Sequence, residues 1–148
     1  MADLPSTKTV VEKLGARPGQ RWILLGESLD DQEAALGTVG VTTARPDERL
    51  GEASLPLSAD AVILRAGDKR DLDRLTRLRD IIAPAGAVWV FWRKGRPELR
   101  EDDVRGAAIA QGLVDVKVIR VSDELSGLKL VIPVAMRAEA GRARRTTR

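Results

Sequence analysis

Six residues of this 148-residue chain stand where strand-like apolar runs give way to polar sequence, so their types could form a ligand site. Glycine lets a ligand approach bare backbone, and a carboxylate accepts hydrogen bonds from hydroxyl or ammonium groups. An indole beside a cation can hold a flat or anionic ligand. We take as candidates for cofactor binding the residues that follow "RWILL", "ADAVILRA" and "AVWVF", namely Gly26, Glu27, Ser28, Asp68, Trp92 and Lys94.

The residue types that are missing limit the chemistry further. The chain contains no cysteine, no histidine and no tyrosine. These absences exclude disulfides, thiolate nucleophiles, imidazole bases and zinc sites built on Cys or His. Any general acid or general base in this chain would have to be a carboxylate or a lysine. The sequence therefore indicates no catalytic constellation and no metal site, and it favours a protein that is not an enzyme.

The loop after "RWILL" has two interpretations. In the first, Gly26 is the position of closest approach to a ligand, and Glu27 or Asp30 is available to a ribose or an ammonium group. In the second, Gly26 is a turn residue and the acidic residues that follow stabilise a helix N-terminus. We favour the second, because no further glycine follows until Gly37 and neither G-x-G-x-x-G nor G-x-x-x-x-G-K-[ST] is present.

The aromatic strand end also has two interpretations. Alternation puts Trp89 and Phe91 on one face of the strand and Trp92 on the other. Core packing is the expected role of the first two. Trp92 stands where the strand leaves the sheet, beside Arg93 and Lys94, so it could instead form the aromatic wall of a site.

Strand and helix signals alternate along the chain. A first helix is expected to begin at Ser6 or Thr7 and to end at Gly15, and Pro84 to Gly86 should end the third helix. Gly127 should supply a positive φ to the last reversal. The predicted strands are 21–25, 39–44, 59–66, 87–92, 114–123 and 128–136, and the other predicted helices are 30–37, 68–83 and 97–112.

This order predicts a three-layer α/β/α Rossmann-like fold, with a mostly parallel sheet of about six strands and a C-terminal antiparallel hairpin. It resembles the fold of S-adenosylmethionine-dependent methyltransferases, shortened between the second and fourth strands. That resemblance implies S-adenosylmethionine as the cofactor to consider. First strands in such enzymes usually end in an acidic residue followed by spaced glycines, whereas this chain reads Leu25, Gly26, Glu27, Ser28.

A second resemblance lies at the level of residues. The segments "KLGARPGQRWILLG", "IIAPAGAVWVFWRKG" and "GLVDVKVIRVSDELSGLKLVIPV" together resemble a family of small bacterial proteins known as a domain of unknown function. The resemblance covers about residues 8 to 135. It implies the same fold and no particular activity. Leu125 stands where that family has an aromatic residue before the hairpin serine.

Charge is concentrated at the C-terminus. The net charge is +3, yet the last twelve residues alone contain five arginines and one glutamate. We therefore expect a single domain over residues 1–136 and a disordered, Arg-rich tail over 137–148 that binds nucleic acid weakly and without specificity. No stretch approaches the ~20 apolar residues of a membrane helix, and a cytoplasmic location is expected.

Three functions follow as hypotheses. The first is a non-catalytic or accessory domain that binds a small metabolite or a protein partner. The second is a methyltransferase with an atypical glycine loop. The third is a nucleic-acid-associated protein that acts through its tail. An edge strand at 39–44 could also support a homodimer.

Overall fold

A six-stranded sheet lies between two pairs of helices. The computed structural model describes residues 9–46 and 58–140. The helices are α1 (Val10–Leu14), α2 (Asp30–Thr38), α3 (Leu75–Ile81) and α4 (Glu101–Ala110). The strands are β1 (Arg21–Leu25), β2 (Thr42–Ala44), β3 (Ala59–Arg65), β4 (Ile82–Arg93), β5 (Val114–Arg120) and β6 (Leu125–Val131).

The strands are arranged in the order β2-β1-β3-β4-β6-β5. β2, β1, β3 and β4 are parallel to one another, whereas β6 is antiparallel to both β4 and β5. The predicted mostly parallel sheet with a closing antiparallel hairpin is therefore confirmed. Since β1 connects to β2 on one side and pairs with β3 on the other, the topological switch point lies between β1 and β3.

Each face of the sheet carries its own hydrophobic core, which explains why the strands read as continuous apolar runs. Trp22, Trp89 and Phe91 belong to the core that includes residues of α1 and α2. Val90 and Trp92 belong to the other core, with residues of α3 and α4. The alternation predicted for the aromatic strand is thus confirmed.

The helix boundaries differ from the prediction at the first, third and fourth helices, and α4 spans Glu101–Ala110 rather than 97–112. Thr9, not Ser6 or Thr7, caps α1, because its side chain accepts a hydrogen bond from the backbone N of Glu12; residues 6 and 7 lie outside the described residues. Gly15 ends α1 in the left-handed conformation, with φ 75°, as predicted.

The third helix is shorter than expected. A 3₁₀ turn over Lys69–Arg74 precedes α3, and the chain is already extended at Ile82, before Pro84 to Gly86, which the sequence predicted as the helix end. The first part of β4 runs close to β3, and a Cβ on Gly86 would lie 2.8 Å from the carbonyl oxygen of Asp60. That close backbone approach, which only glycine permits, extends the strand to twelve residues.

The role predicted for Gly127 is wrong. Gly127 is not among the residues with positive φ in the described chain, and it lies inside β6 rather than in the turn. A Cβ there would lie 2.9 Å from the ring of Phe91 and 3.2 Å from Cγ1 of Ile119. Gly127 therefore makes room for a buried aromatic ring.

Ordered packing extends slightly past the predicted domain end at residue 136. Nε of Arg137 donates a hydrogen bond to the carbonyl of Ile132 at 3.1 Å, and Ala140 is buried in the core of α3 and α4. The first four residues of the predicted disordered tail therefore belong to the fold. The rest of that tail, 141–148, lies outside the described residues.

Candidate functional site

The six candidate residues gather at one edge of the sheet. The parallel strands β1, β3 and β4 are neighbours, so their carboxyl ends meet at the same edge, where open α/β sheets hold ligands. The candidates form two groups. Gly26, Glu27 and Ser28 lie in the loop that leaves β1. Asp68, Trp92 and Lys94 lie at or beside the ends of β3 and β4.

Gly26 lies tightly against the neighbouring strand. Its φ is 106°, and a Cβ there would lie 2.8 Å from both the Cβ and the carbonyl oxygen of Arg65, the last residue of β3. A side chain at this position would therefore clash with backbone. The close approach that the sequence suggested at Gly26 is made, at least in part, by the protein itself.

Ser28 holds the most unusual backbone of the loop. Its φ is 59°, a conformation that residues with a side chain rarely adopt. Gly26 and Ser28 are thus both left-handed, two positions apart. This is the backbone that a spaced pair of glycines would accommodate easily, although the second position here is a serine.

Arg45, one residue after β2, closes the outer side of this loop. Its Nη1 donates to the carbonyl of Gly26 at 3.2 Å. Its Nη2 lies 3.3 Å from Oδ1 of Asp30, and its Nε lies 3.3 Å from Oε1 of Glu33. The guanidinium therefore joins the loop to the start of α2. The side chain of Asp30 is 94% exposed, so its pairing with Arg45 is solvated and weak.

Asp68 is used for capping. Its side chain accepts hydrogen bonds from the backbone N of Arg70 at 2.9 Å and from Nη2 of Arg70 at 3.2 Å. With Asp71 it forms a capping box at the start of the 3₁₀ turn. The side-chain hydrogen bond from Arg70 is the main reason why the pKa of Asp68 lies below its usual value.

Two neighbouring cavities lie beside the ends of β3 and β4. The first, of about 230 Å³, is lined by Arg65, Gly67, Arg93, Arg96 and Leu99, among others. The second, of about 280 Å³, shares Arg96 and Leu99 and adds Trp92, Lys94 and Ser126. Trp92 is only 4% exposed and packs in the core, so it contributes a wall rather than a free ring. Neither cavity is lined by Gly26, Glu27 or Ser28.

The hairpin that joins β5 and β6 also reaches this edge. The backbone N of Lys94 donates to the carbonyl of Glu124 at 2.8 Å, and Nη2 of Arg93 pairs with Oε2 of Glu124 at 3.2 Å. Asp123 instead pairs with Arg120. The carboxylate of Glu124 therefore pairs with Arg93 rather than with Lys94, and that of Asp123 pairs within its own turn.

Arg65 connects the two groups of candidates. Burial lowers the pKa of its guanidinium, the nearby charge of Arg93 lowers it further, and Glu27 acts in the opposite direction. Its Nη1 donates to the carbonyl of Ala66 at 3.2 Å. Within the described part of the chain, its Nε is buried without a hydrogen-bond partner.

Sequence reasoning missed three arginines that shape this edge, namely Arg45, Arg65 and Arg96. Arg45 and Arg65 each stand at or just after a strand end, which is a signal that could have been read. Arg96 follows a glycine in a polar loop, and nothing local distinguishes it. Over residues 9–46 and 58–140, no group of acidic side chains could hold a metal ion, and no helix is long and apolar enough to cross a membrane.

Solved structures of similar fold include several S-adenosylmethionine (SAM)-dependent methyltransferases. One from Aquifex aeolicus has a TM-score of 0.64 at 14% identity, covering 83% of this chain and 88% of that chain. Magnesium protoporphyrin IX methyltransferase from Synechocystis, with bound SAM, has a TM-score of 0.62 at 15% identity, covering 83% and 76%. A TehB-like SAM-dependent methyltransferase from Corynebacterium glutamicum has a TM-score of 0.61 at 12% identity, covering 83% and 85%.

These comparisons confirm the predicted fold class. The chain has the α/β fold of SAM-dependent methyltransferases, with the mostly parallel sheet and the antiparallel C-terminal strands. No family model matches the sequence, and no curated protein matches it. Membership of the family of unknown function therefore stays a prediction.

Proposed function

We propose that this chain is a SAM-dependent methyltransferase with an atypical cofactor loop, in which Gly26, Glu27 and Ser28 lie against the cofactor. The observation that carries this proposal is the left-handed backbone of Ser28, with φ 59°, at the switch point of a methyltransferase fold. Strained backbone of this kind costs of order 1–3 kcal/mol and clusters at ligand sites. The likeness to methyltransferases places this proposal ahead of the non-catalytic domain that the sequence alone favoured.

The residues of the loop suit such a cofactor in their chemistry. SAM carries an ammonium group, a carboxylate and a ribose, and its sulfonium supplies the methyl group. Glu27 and Asp30 could accept hydrogen bonds from the ammonium group and the ribose hydroxyls. Methyl transfer depends mainly on the positioning of donor and acceptor, so the absence of histidine and cysteine is compatible with it.

Arg45 must release the loop before the cofactor can bind there. Its hydrogen bond to the carbonyl of Gly26 and its ion pair with Asp30 occupy groups that a cofactor would approach, and its ion pair with Glu33 helps to hold the guanidinium in that place. Exposed ion pairs of this kind are worth about 0–1 kcal/mol each. A ligand of ordinary affinity could therefore displace Arg45.

The test is calorimetric titration of the purified chain with SAM and with S-adenosylhomocysteine. We expect the chain to bind both compounds. Glu27→Gln should weaken the affinity by about tenfold, which corresponds to the loss of one charge-assisted hydrogen bond. Asp31→Asn is the matched control, since Asp31 is a neighbouring exposed acid that lacks the proposed role. Arg45→Ala should bind more tightly than the unchanged protein.

A second candidate function is a non-catalytic domain that binds a metabolite or a protein. The contacts of Arg45 favour it, because this guanidinium already binds the carbonyl of Gly26 and the carboxylates at the start of α2. If neither the unchanged chain nor Arg45→Ala releases heat with millimolar SAM, the methyltransferase proposal fails and this second candidate takes its place.

A further inference from the structure

The two cavities beside β3 and β4 are bordered by arginine side chains and by none of the residues proposed to hold the cofactor. We propose that Arg65, Arg93 and Arg96 form a binding site for the phosphate group of a small metabolite. This inference does not depend on methyl transfer, because the cavities lie beside the ends of β3 and β4 and neither includes the residues proposed to hold SAM.

The positions of the three arginines follow from the sheet. Arg65 ends β3 and pairs in register with Phe91 of β4, so Arg93 lies two residues further along the neighbouring strand. Arg96 follows β4 after the left-handed Gly95, whose φ is 72°. All three side chains line the same cavity of about 230 Å³, which holds one acidic residue, Glu98, in its wall.

The charges in this cavity are poorly balanced. Arg93 pairs with Glu124 from the outer side, with 47% and 70% of the two side chains exposed, so that pair is well solvated. Within the described residues, neither Arg65 nor Arg96 forms an ion pair with a carboxylate. Arg93 and the partly buried Arg65 lie close enough to repel each other, and the charge of Glu27 offsets this repulsion only in part. Two like charges in this setting favour an anion between them.

Phosphate fits this arrangement better than a single carboxylate. A phosphate ester carries a charge of about −1.5 to −2 at pH 7, which matches two guanidinium groups. Its three free oxygens can accept hydrogen bonds from several guanidinium groups at once. The adjoining cavity of about 280 Å³, bordered by Trp92 and Leu99, offers partly apolar space for the rest of a small molecule.

The test is an amide-shift titration of the isotope-labelled full chain by NMR, with inorganic phosphate as the probe. Sodium chloride and sodium acetate at equal ionic strength are the comparison salts. We expect saturable shifts at the amides of Ala66, Gly67 and Arg96. Arg96→Ala, which removes an exposed side chain that forms no described ion pair, should weaken binding by about tenfold. Arg17→Ala, at the opposite edge of the sheet before β1, should leave it unchanged.

Three results would overturn the inference. They are shifts confined to the Arg-rich residues 137–148, an equal response to chloride or acetate, and unchanged phosphate affinity in Arg96→Ala. The outcome is separate from that of the SAM titration. A chain that binds phosphate at these arginines but does not bind SAM would keep this inference and refute the methyltransferase proposal.

Discussion

Replacement of Gly26 by alanine would show whether the loop after β1 needs glycine for the protein's own packing. The new Cβ would lie 2.8 Å from two atoms of Arg65, a separation at which one side must move. One of these atoms is a backbone carbonyl oxygen in the central sheet, so it cannot swing away. Overpacking of this kind costs about 1–3 kcal/mol. The φ of 106° adds about 1–3 kcal/mol for a residue with a side chain.

We therefore expect Gly26→Ala to lose about 2–6 kcal/mol of unfolding free energy, a large share of the 5–15 kcal/mol typical of a domain. Urea denaturation followed by far-ultraviolet circular dichroism measures this loss. Gly37→Ala is the matched control. Gly37 is exposed near the end of α2, with no atom within 4 Å of its added Cβ, so alanine there should stabilise the helix by about 0.5–1 kcal/mol. A loss below about 1 kcal/mol in Gly26→Ala would refute the packing argument and leave a ligand as the reason for the glycine.

Three further predictions concern single residues. Ser28→Gly should relieve the left-handed strain and raise stability by about 0.5–1 kcal/mol; a destabilised variant in thermal melts would contradict this. Asp68→Asn should lower stability at pH 7, because the hydrogen bond from Arg70 lowers the pKa of Asp68 and so stabilises the fold above the unfolded pKa of about 3.9. The difference in melting temperature should shrink as the pH falls below that value, and a constant difference would refute the argument. Gln111→Ala should lower the free energy of unfolding by about 2 kcal/mol in urea denaturation. The side chain of Gln111 accepts hydrogen bonds from the backbone N and the hydroxyl of Thr76 at 2.7 Å and 2.9 Å, and it donates one to the carbonyl of Leu72 at 2.8 Å. Unchanged stability would show that water replaces these bonds.

The sequence predicted the edge of the sheet at which a site would form, but not the partners of each residue there. Gly26, Asp68 and Lys94 were identified because they follow apolar runs, which is a local property. Gly26 faces Arg65 because of the register of β1 against β3. Arg45 reaches the same loop because β2 lies on the other side of β1. Neither register nor strand order can be read from one strand by itself.

The same limit explains the errors. Gly127 has the residue type of a turn, but its position opposite Phe91 in the antiparallel pairing of β4 and β6 is what requires the absence of a side chain. Pro84 to Gly86 read as a helix end, yet the approach of Gly86 to the carbonyl of Asp60 makes them part of β4. In both places a contact distant in sequence overrode a local preference.

By itself, the sequence determined the order of helices and strands and the two-sided burial of the central strands. Both depend on the period and continuity of apolar residues, which short windows of the chain display. The methyltransferase-like α/β fold was expected from the resemblance of that order to a known fold. The tertiary structure alone decided which charges meet. Arg65, Arg93 and Arg96 share one cavity, and Arg45 holds the loop of Gly26, because parallel pairing brings strand ends together from distant parts of the chain. Electrostatic interaction depends on distance in space, and distance in sequence does not determine it.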